Sequence, residues 1–489
     1  MIQPTKKTKS LTTNSIFYVI YNTLNIVFPL LTSMYVARVL KTADIGEIGY
    51  SQNIAQYFVI LSFLGIPTYG MREIAKVRDS QTETNTIFSE LFTLNFISTS
   101  IFLFIYLICI ILIKEFRNNI TIFLISGLSI VLNYMNINWL YEGLEEFRYI
   151  SLRNILFKLL SFLLLVILVR SEADYLWYAA VTVFGTAGNY FLNVIYSKKF
   201  VSLKIKNLDL KRHLKSISYL VVVNLAIEIY SLVDITMLGT MSEKSNVAFY
   251  SYALRIQKIL LHIVNSFTMV IVPRLSYYYK NHLYQEYNKL ISQTLKIIIL
   301  LSFPMIIGII FTGNELITIM YGEKYLQSAK VLNILSFLLL ISPIGYLLGS
   351  RVLLISEQET KMIICVAIGA IVNVICNFFF IQKYSEIGAA FASLTSEIVV
   401  MTIYVYLGRK EYSLLIQIKD YFKIFFSLIA MILYLYTIKK LIVNKIICVI
   451  TQIIGAVIVY FGILYLLNEP MTRKYGSRII RTNKKTFIN

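Results

Sequence analysis

Arg255, Lys258 and His262 stand at i, i+3 and i+7 in "YSYALRIQKILLHIVNSF" (250–267), so a helix puts all three on one face. Ser251 and Asn265 extend the same stripe. The surrounding run is apolar, and each cation near a bilayer centre costs about 2.5–3.5 kcal/mol on insertion scales. A stripe of this kind suits an anion that has lost its hydration. Arg offers a bidentate fork, Lys a point charge, and His a group that titrates near neutrality. The competing reading is structural: Arg255 snorkels or pairs with Glu228 or Asp234. Lys258 and His262 lie near mid-span, where snorkelling is hardest, and this favours cavity lining.

Other spans carry polar faces too. Tyr18, Asn22, Asn25 and Pro29 share one side of the first span. Gln52, Asn53 and Gln56 cluster in the second, and Asn224, Glu228 and Ser231 in the seventh, with Asp234 a third of a turn away. A shared water-filled cavity explains such faces, and helix–helix hydrogen bonds are the alternative for the Asn and Gln residues. Asn373 and Asn377 are i, i+4 on the eleventh span, and Ser393, Thr395 and Glu397 lie on the twelfth. Their oxygens suit a hard cation, and equally a polar seam between helices.

The elements that position these groups are membrane helices. The 489-residue chain is 57% hydrophobic, against about 45–50% for soluble domains, and its mean hydropathy is +0.69. Apolar runs of about 20 residues recur along its length, and we segment them into about 14 spans. The first run, Ser15 to Val36, is too long for a signal-peptide core and is read as a retained helix. The fold expected is an all-α integral membrane protein with about 14 transmembrane helices.

The net charge of +20 does not point to nucleic acid. With the N-terminus inside, loops on its side carry more than twice the Lys and Arg of the opposite loops, the positive-inside pattern. Both termini and the basic stretch 198–215 are therefore expected in the cytoplasm, beside anionic membrane lipids. The four cysteines fall in apolar runs without metal-ligand or C-x-x-C spacing. No P-loop, G-x-S-x-G, H-E-x-x-H or G-x-G-x-x-G is present, and no cofactor is expected beyond a coupling ion. Loops are read as short, the longest outer one being 313–329, and "SYYYKNHLYQEY" (276–287) as an interfacial aromatic loop. His213 and His282 are expected to be solvated in such loops.

The chain also repeats itself. Tyr-Ser opens a span at 50–51 and at 250–251, and each span is read as ending at an apolar-Pro pair, Ile66-Pro67 and Val272-Pro273. "LWYAAVTVFGTAGNY" (176–190) lines up with "EIGAAFASLTSEIVV" (386–400). This predicts two pseudo-symmetric six-helix bundles, 1–197 and 216–408, joined by the linker 198–215 and followed by two extra helices and a basic tail, 409–489. Transporters built this way bind substrate between repeats.

"ARVLKTADIGEIGYSQNIAQYFVILSFLGIPTYGMREIAK" (37–76) resembles the N-terminal signature of Wzx-type polysaccharide flippases. "NWLYEGLEEFRYISLRNILFKL" (138–159), "VDITMLGTMSEKSNVAFYSYALRIQKI" (233–259) and "VNVICNFFFIQKYSEIGAAFASLTSEI" (372–398) resemble further segments of the family, and the likeness spans about residues 10–470. It implies a MATE-like fold, in the superfamily of the MATE exporters and the lipid II flippase. It implies alternating access that carries an undecaprenyl-diphosphate-linked oligosaccharide across the bacterial cytoplasmic membrane, driven by Na+, H+ or the membrane potential. Glycosyltransferases and a polysaccharide polymerase are the partners such a pathway brings.

The resemblance also implies roles. Arg255 matches a cavity arginine on the eighth helix of the lipid II flippase. That relative's other cavity arginines, on helices one and two, are replaced here by Asn22, Asn25, Gln52 and Asn53, which argues for a different glycolipid. Asp234, Asn373, Asn377, Ala389 and Ser393 fall at places similar to its sodium ligands, with Asn377 where the relative has a second acid. A MATE-type drug exporter is the first alternative, disfavoured by cavity cations. A membrane polysaccharide polymerase, an enzyme, is the second, and it would carry a large outer loop that this chain lacks.

Overall fold

The computed structural model describes residues 25–473 apart from 26, 205, 207 and 416, and the helix backbone alone at 215 and 218–231. Among the described residues all regular structure is helical, and ten helices are long and apolar enough to cross a bilayer. The chain divides into two compact units, residues 1–248 and 249–489. Asn22, with the start of the first expected span, lies outside the described residues, as does the side chain of Glu228.

Unit 1 opens with α1 (Val27–Val39), α2 (Thr42–Phe63), α3 (Ile66–Val77) and α4 (Gln81–Leu112). The short α5 (Lys114–Asn118), α6 (Ile120–Leu132) and α7 (Asn138–Gly143) lead to α8 (Phe147–Leu168). Next come α9 (Tyr175–Val183), α10 (Tyr190–Ser197) and α11 (Lys211–Met241). A π-helical stretch, Phe184–Gly188, joins α9 to α10. Pro67 does not end the second span. Left-handed Leu64 and Gly65 break the chain, and Pro67 then sits in the first turn of α3, where its missing N–H costs nothing. Trp139, Tyr69, Phe88, Leu91 and Tyr141 form the core where α3, α4 and α7 meet. The helix α11 lies close on α2, since a Cβ on Gly239 would fall 2.3 Å from the Tyr50 ring.

The described residues of 200–209 form a strap along α4 instead of a free linker. Asn85 Oδ1 accepts the Ser202 N–H (3.0 Å), Ser89 Oγ the Lys204 N–H (2.8 Å) and Glu90 Oε1 the Asp209 N–H (2.9 Å). His213 is not solvated. It falls inside α11, is 2% exposed, and holds Glu90 Oε2 at 2.8 Å and the Tyr69 hydroxyl at 2.9 Å.

In unit 2 the long helices are α12 (Lys244–Lys280, which begins in unit 1) and α13 (Tyr284–Tyr321). The short α14 (Leu326–Leu335), α15 (Leu338–Gly345) and α16 (Val352–Ile355) follow. Then come α17 (Glu359–Gly408), α18 (Ile418–Leu441) and α19 (Lys445–Leu466). Two loop readings need correction. The helix α12 continues through Pro273, so 276–287 contributes only a break between Lys280 and Tyr284. Likewise α13 runs to Tyr321, so 313–329 is mostly helix. Polar residues at helix ends beyond the apolar core read as loop, although they continue the helical hydrogen bonds. Two spans merge in α17, which breaks only at Ser385 (φ 48°). Gly388 fits beside that break because a Cβ there would meet the Phe380 carbonyl at 2.1 Å.

Candidate substrate and ion sites

The helix α12 presents two unlike faces. Tyr252, Ala253, Ile256 and Gln257 are buried inside unit 2. Tyr252 stacks on Tyr321 (centroids 4.4 Å) and packs on Tyr325 (4.9 Å). Ser251, Arg255, Lys258 and His262 lie on the other side of the helix, Arg255 half-buried and Lys258 and His262 exposed. The Arg255 guanidinium carbon is 5.7 Å from the Tyr252 ring centroid, so a packed aromatic cluster supports its root. The cationic face is thus the one that its own lobe leaves uncovered. Within an apolar span, cations on such a face are met by polar side chains, water or a polar ligand, because lipid would not solvate them.

In unit 1 the predicted polar residues separate. Asn53 is 6% exposed, and its amide donates to the Leu232 carbonyl (3.0 Å) and Thr236 Oγ1 (2.8 Å), binding α2 to α11. Its donors are taken up by a helix–helix seam. Gln52 is half-buried and Gln56 exposed on the same helix. Asn25 accepts a hydrogen bond from the Lys158 ammonium of α8. The sequence reading missed Lys158. Its signal was Ser151, Asn154, Lys158 and Ser161, a polar stripe at i, i+3, i+7 and i+10 in a Leu- and Phe-rich helix.

The candidate cation ligands fall on both units. Asp234 is 9% exposed in unit 1. In unit 2, Asn373 and Asn377 lie on the buried stripe of the first half of α17, with Asn377 Nδ2 donating to Asn373 Oδ1 at 3.0 Å. In the second half, the Ser393 hydroxyl donates to the Ala389 carbonyl (3.0 Å), so the Tyr250 hydroxyl at 3.0 Å donates to Ser393. The Asn carboxamides and the Ala389–Ser393 pair supply neutral oxygens on buried helix faces, a donor set that fits a hard monovalent ion. Among the described residues no group of three or more His, Cys, Asp or Glu gathers.

The sequence family described as polysaccharide biosynthesis protein matches residues 11–279, more than half of the chain. The chain belongs to that family. The MatE family also matches, over residues 220–379. An Escherichia coli (strain K12) protein named, provisionally, as an O-antigen transporter is 23% identical over 406 residues, covering 81% of this chain and 95% of the relative. A Haloferax volcanii relative, provisionally named a low-salt glycan biosynthesis flippase, is 25% identical over 287 residues, 58% of this chain and 60% of that one. Among solved structures, the lipid II flippase MurJ in an inward closed conformation superposes with a TM-score of 0.69. Identity there is 17%, over 93% of this chain and 99% of that one. The family member described here therefore has a flippase-type helical fold and crosses a membrane many times.

Proposed function

We propose that this chain is a flippase that carries an undecaprenyl-diphosphate-linked oligosaccharide repeat unit across the bacterial cytoplasmic membrane by alternating access. The observation that carries this reading is the cationic stripe of α12, with Arg255 half-buried and Lys258 and His262 exposed within an apolar span. The family supports it, because its relatives are named for O-antigen transport and glycan flipping and not as enzymes. Arg255 and Lys258 receive the diphosphate and His262 donates a further hydrogen bond, while Asn22, Asn25, Gln52, Gln56 and Glu228 border the path and Asn53 holds the helix seam behind it. A drug exporter for cations would be opposed by the same charges.

The membrane orientation follows from the Lys and Arg bias: both termini in the cytoplasm, the basic segments beside anionic lipids. Glycosyltransferases supply the lipid-linked glycan and a polymerase consumes it. Na+ held by Asp234, Asn373, Asn377, the Ala389 carbonyl and Ser393, or H+ in its place, couples the cycle. The test is leaflet-resolved labelling of the lipid-linked glycan in cells that depend on this chain. Arg255→Ala is expected to reach the membrane at normal levels and lose most transport. Arg255→Lys should recover part of it, since charge remains and the fork is lost. Wild-type export by an Arg255→Ala/Lys258→Ala double variant would refute this site.

A further inference from the structure

Lys158 stands at the middle of α8, a helix that spans 147–168. The burial pattern of that helix shows which way it faces. Ser151, Asn154, Ser161 and Leu165 are buried, whereas Leu152, Leu156, Leu159, Leu163 and Ile167 are exposed. Position 158 belongs to the first set, by the i, i+3, i+7 rule. Lys158 is therefore turned into its lobe and away from lipid. Its neighbours on that face are closely packed: Ser161 donates to the Val181 carbonyl at 3.2 Å, and a Cβ on Gly185 would meet Ser161 Oγ at 2.5 Å. Yet Lys158 itself remains half-exposed.

The ammonium has three donors, and the bond to Asn25 Oδ1 uses one. An amide oxygen orients a cation without neutralising it. Among the described residues no carboxylate is bonded to Lys158, although the other half-buried or buried lysines described sit in acid pairs. Lys244 has Glu47 and Glu115, and Lys296 has Asp420 and Glu469. A positioned, uncompensated cation inside a membrane lobe is costly unless an anion or water meets it.

We infer that Lys158, aimed by Asn25, is a binding group for a phosphate-type lipid anion within the first lobe, namely the diphosphate head of the lipid-linked substrate. This rests on the function proposed above. It gives the first lobe a cation of its own for that anion. Asn25 thereby acquires a positioning role, since it fixes the ammonium that the anion would meet.

The experiment uses the full chain in nanodiscs of zwitterionic lipid at pH 7, titrated with farnesyl diphosphate and read by native mass spectrometry. Lys158→Met should bind about tenfold more weakly, the loss expected for one charged hydrogen-bonding partner. Lys158→Arg should stay within about threefold, and Asn25→Leu should fall between. Should Lys158→Met fail to insert, Lys158→Gln removes the same charge and keeps a polar group. Unchanged affinity in the charge-removing variant overturns the inference. So does an Arg variant as weak as Met, which would mean that the proton and not the charge matters. If phosphatidylglycerol displaces the probe from the wild type and not from the Met variant, the group serves bilayer phospholipid and the inference also fails. A wild-type chain that does not bind the diphosphate defeats the proposed function itself. One that binds it with Lys158 dispensable defeats this inference alone.

Discussion

Replacing Lys296 by Met should release the two C-terminal helices from the second lobe. Lys296 of α13 places its ammonium 2.6 Å from Asp420 Oδ2 at the start of α18 and 2.5 Å from Glu469 Oε1 just after α19. The side chains of Lys296, Asp420 and Glu469 are only 11%, 8% and 0% exposed. Removing the cation leaves two buried carboxylates facing each other, which costs about 3–5 kcal/mol. By contrast, Lys423 also touches Asp420, at 3.3 Å, with a side chain 28% exposed. Its loss should cost under about 1 kcal/mol. The assay is thermal unfolding of the full chain in detergent as a function of pH. Burial alone would raise the Glu469 carboxyl, but the Lys296 ammonium and the Thr472 backbone and hydroxyl donors outweigh it and hold it below the ordinary glutamate range. A depressed carboxylate contributes stability above its unfolded pKa, about 4.3, and loses it as pH falls through the folded value. In Lys296→Met that carboxyl loses the ammonium and keeps only the neutral donors against burial, so its pKa rises. The gap between wild type and variant should therefore be widest near pH 7 and narrow toward pH 4. Neutralising the partners, in Lys296→Met/Asp420→Leu/Glu469→Leu, should restore most of the loss, because the surrounding Leu300, Ile424, Met431 and Tyr460 core persists. A gap that ignores pH, together with a triple variant no better than the single one, would refute this account.

Two further outcomes test the membrane arrangement and the coupling. A cysteine placed at Lys206, in the basic strap, should resist an impermeant thiol reagent applied to intact cells and react once the membrane is opened. Labelling from outside would reverse the assigned orientation. Sodium stimulation of glycan transport should vanish in Asp234→Asn, because that side chain is the single carboxylate of the proposed ion site. Stimulation that survives the substitution removes Asp234 from it.

Much of this architecture could be read from hydropathy. Helices such as α4 and α19 are apolar over a bilayer's width, and no other element satisfies its backbone in lipid. Helix ends were less legible. Residues 313–321 and 276–280 continue helices with Asn, Glu, Tyr and Lys, types that also make loops. Pro273 and Pro304 sit inside helices, where a rule drawn from soluble proteins places an ending. Of the candidate site, spacing identified the α12 stripe, because three titratable groups on one face stand out in an apolar run. It did not separate Asn53 from that set, since an amide serving a helix seam and an amide lining a path look alike until the partner is known. Lys158 escaped notice because a single Lys among Leu and Phe reads as a snorkelling side chain. Its inward aim depends on which neighbours are buried, a tertiary fact.

The strap on α4 adds a different kind of evidence about the repeat. Asn85 and Ser89, four apart, capture the backbone N–H groups of Ser202 and Lys204. In the second unit, Asn288 and Ser292, also four apart, capture those of Ser413 (2.9 Å) and Leu415 (2.8 Å). The same two side-chain types, in the same order and spacing, receive alternate N–H groups of the extended segment that leaves each lobe's last helix. An extended chain repeats its outward N–H every second residue and a helix repeats a face every fourth. Asn-x-x-x-Ser therefore matches the two periods only when strand and helix run side by side. Apolar helices resemble one another by composition, so their similarity alone is weak support for duplication. A polar pair conserved in position between the two lobes, each solving the same problem of unpaired backbone donors, is a geometric likeness that composition does not produce. It ties each exit segment to its own lobe, so the strap before α11 and the segment before α18 move with the helices that hold them.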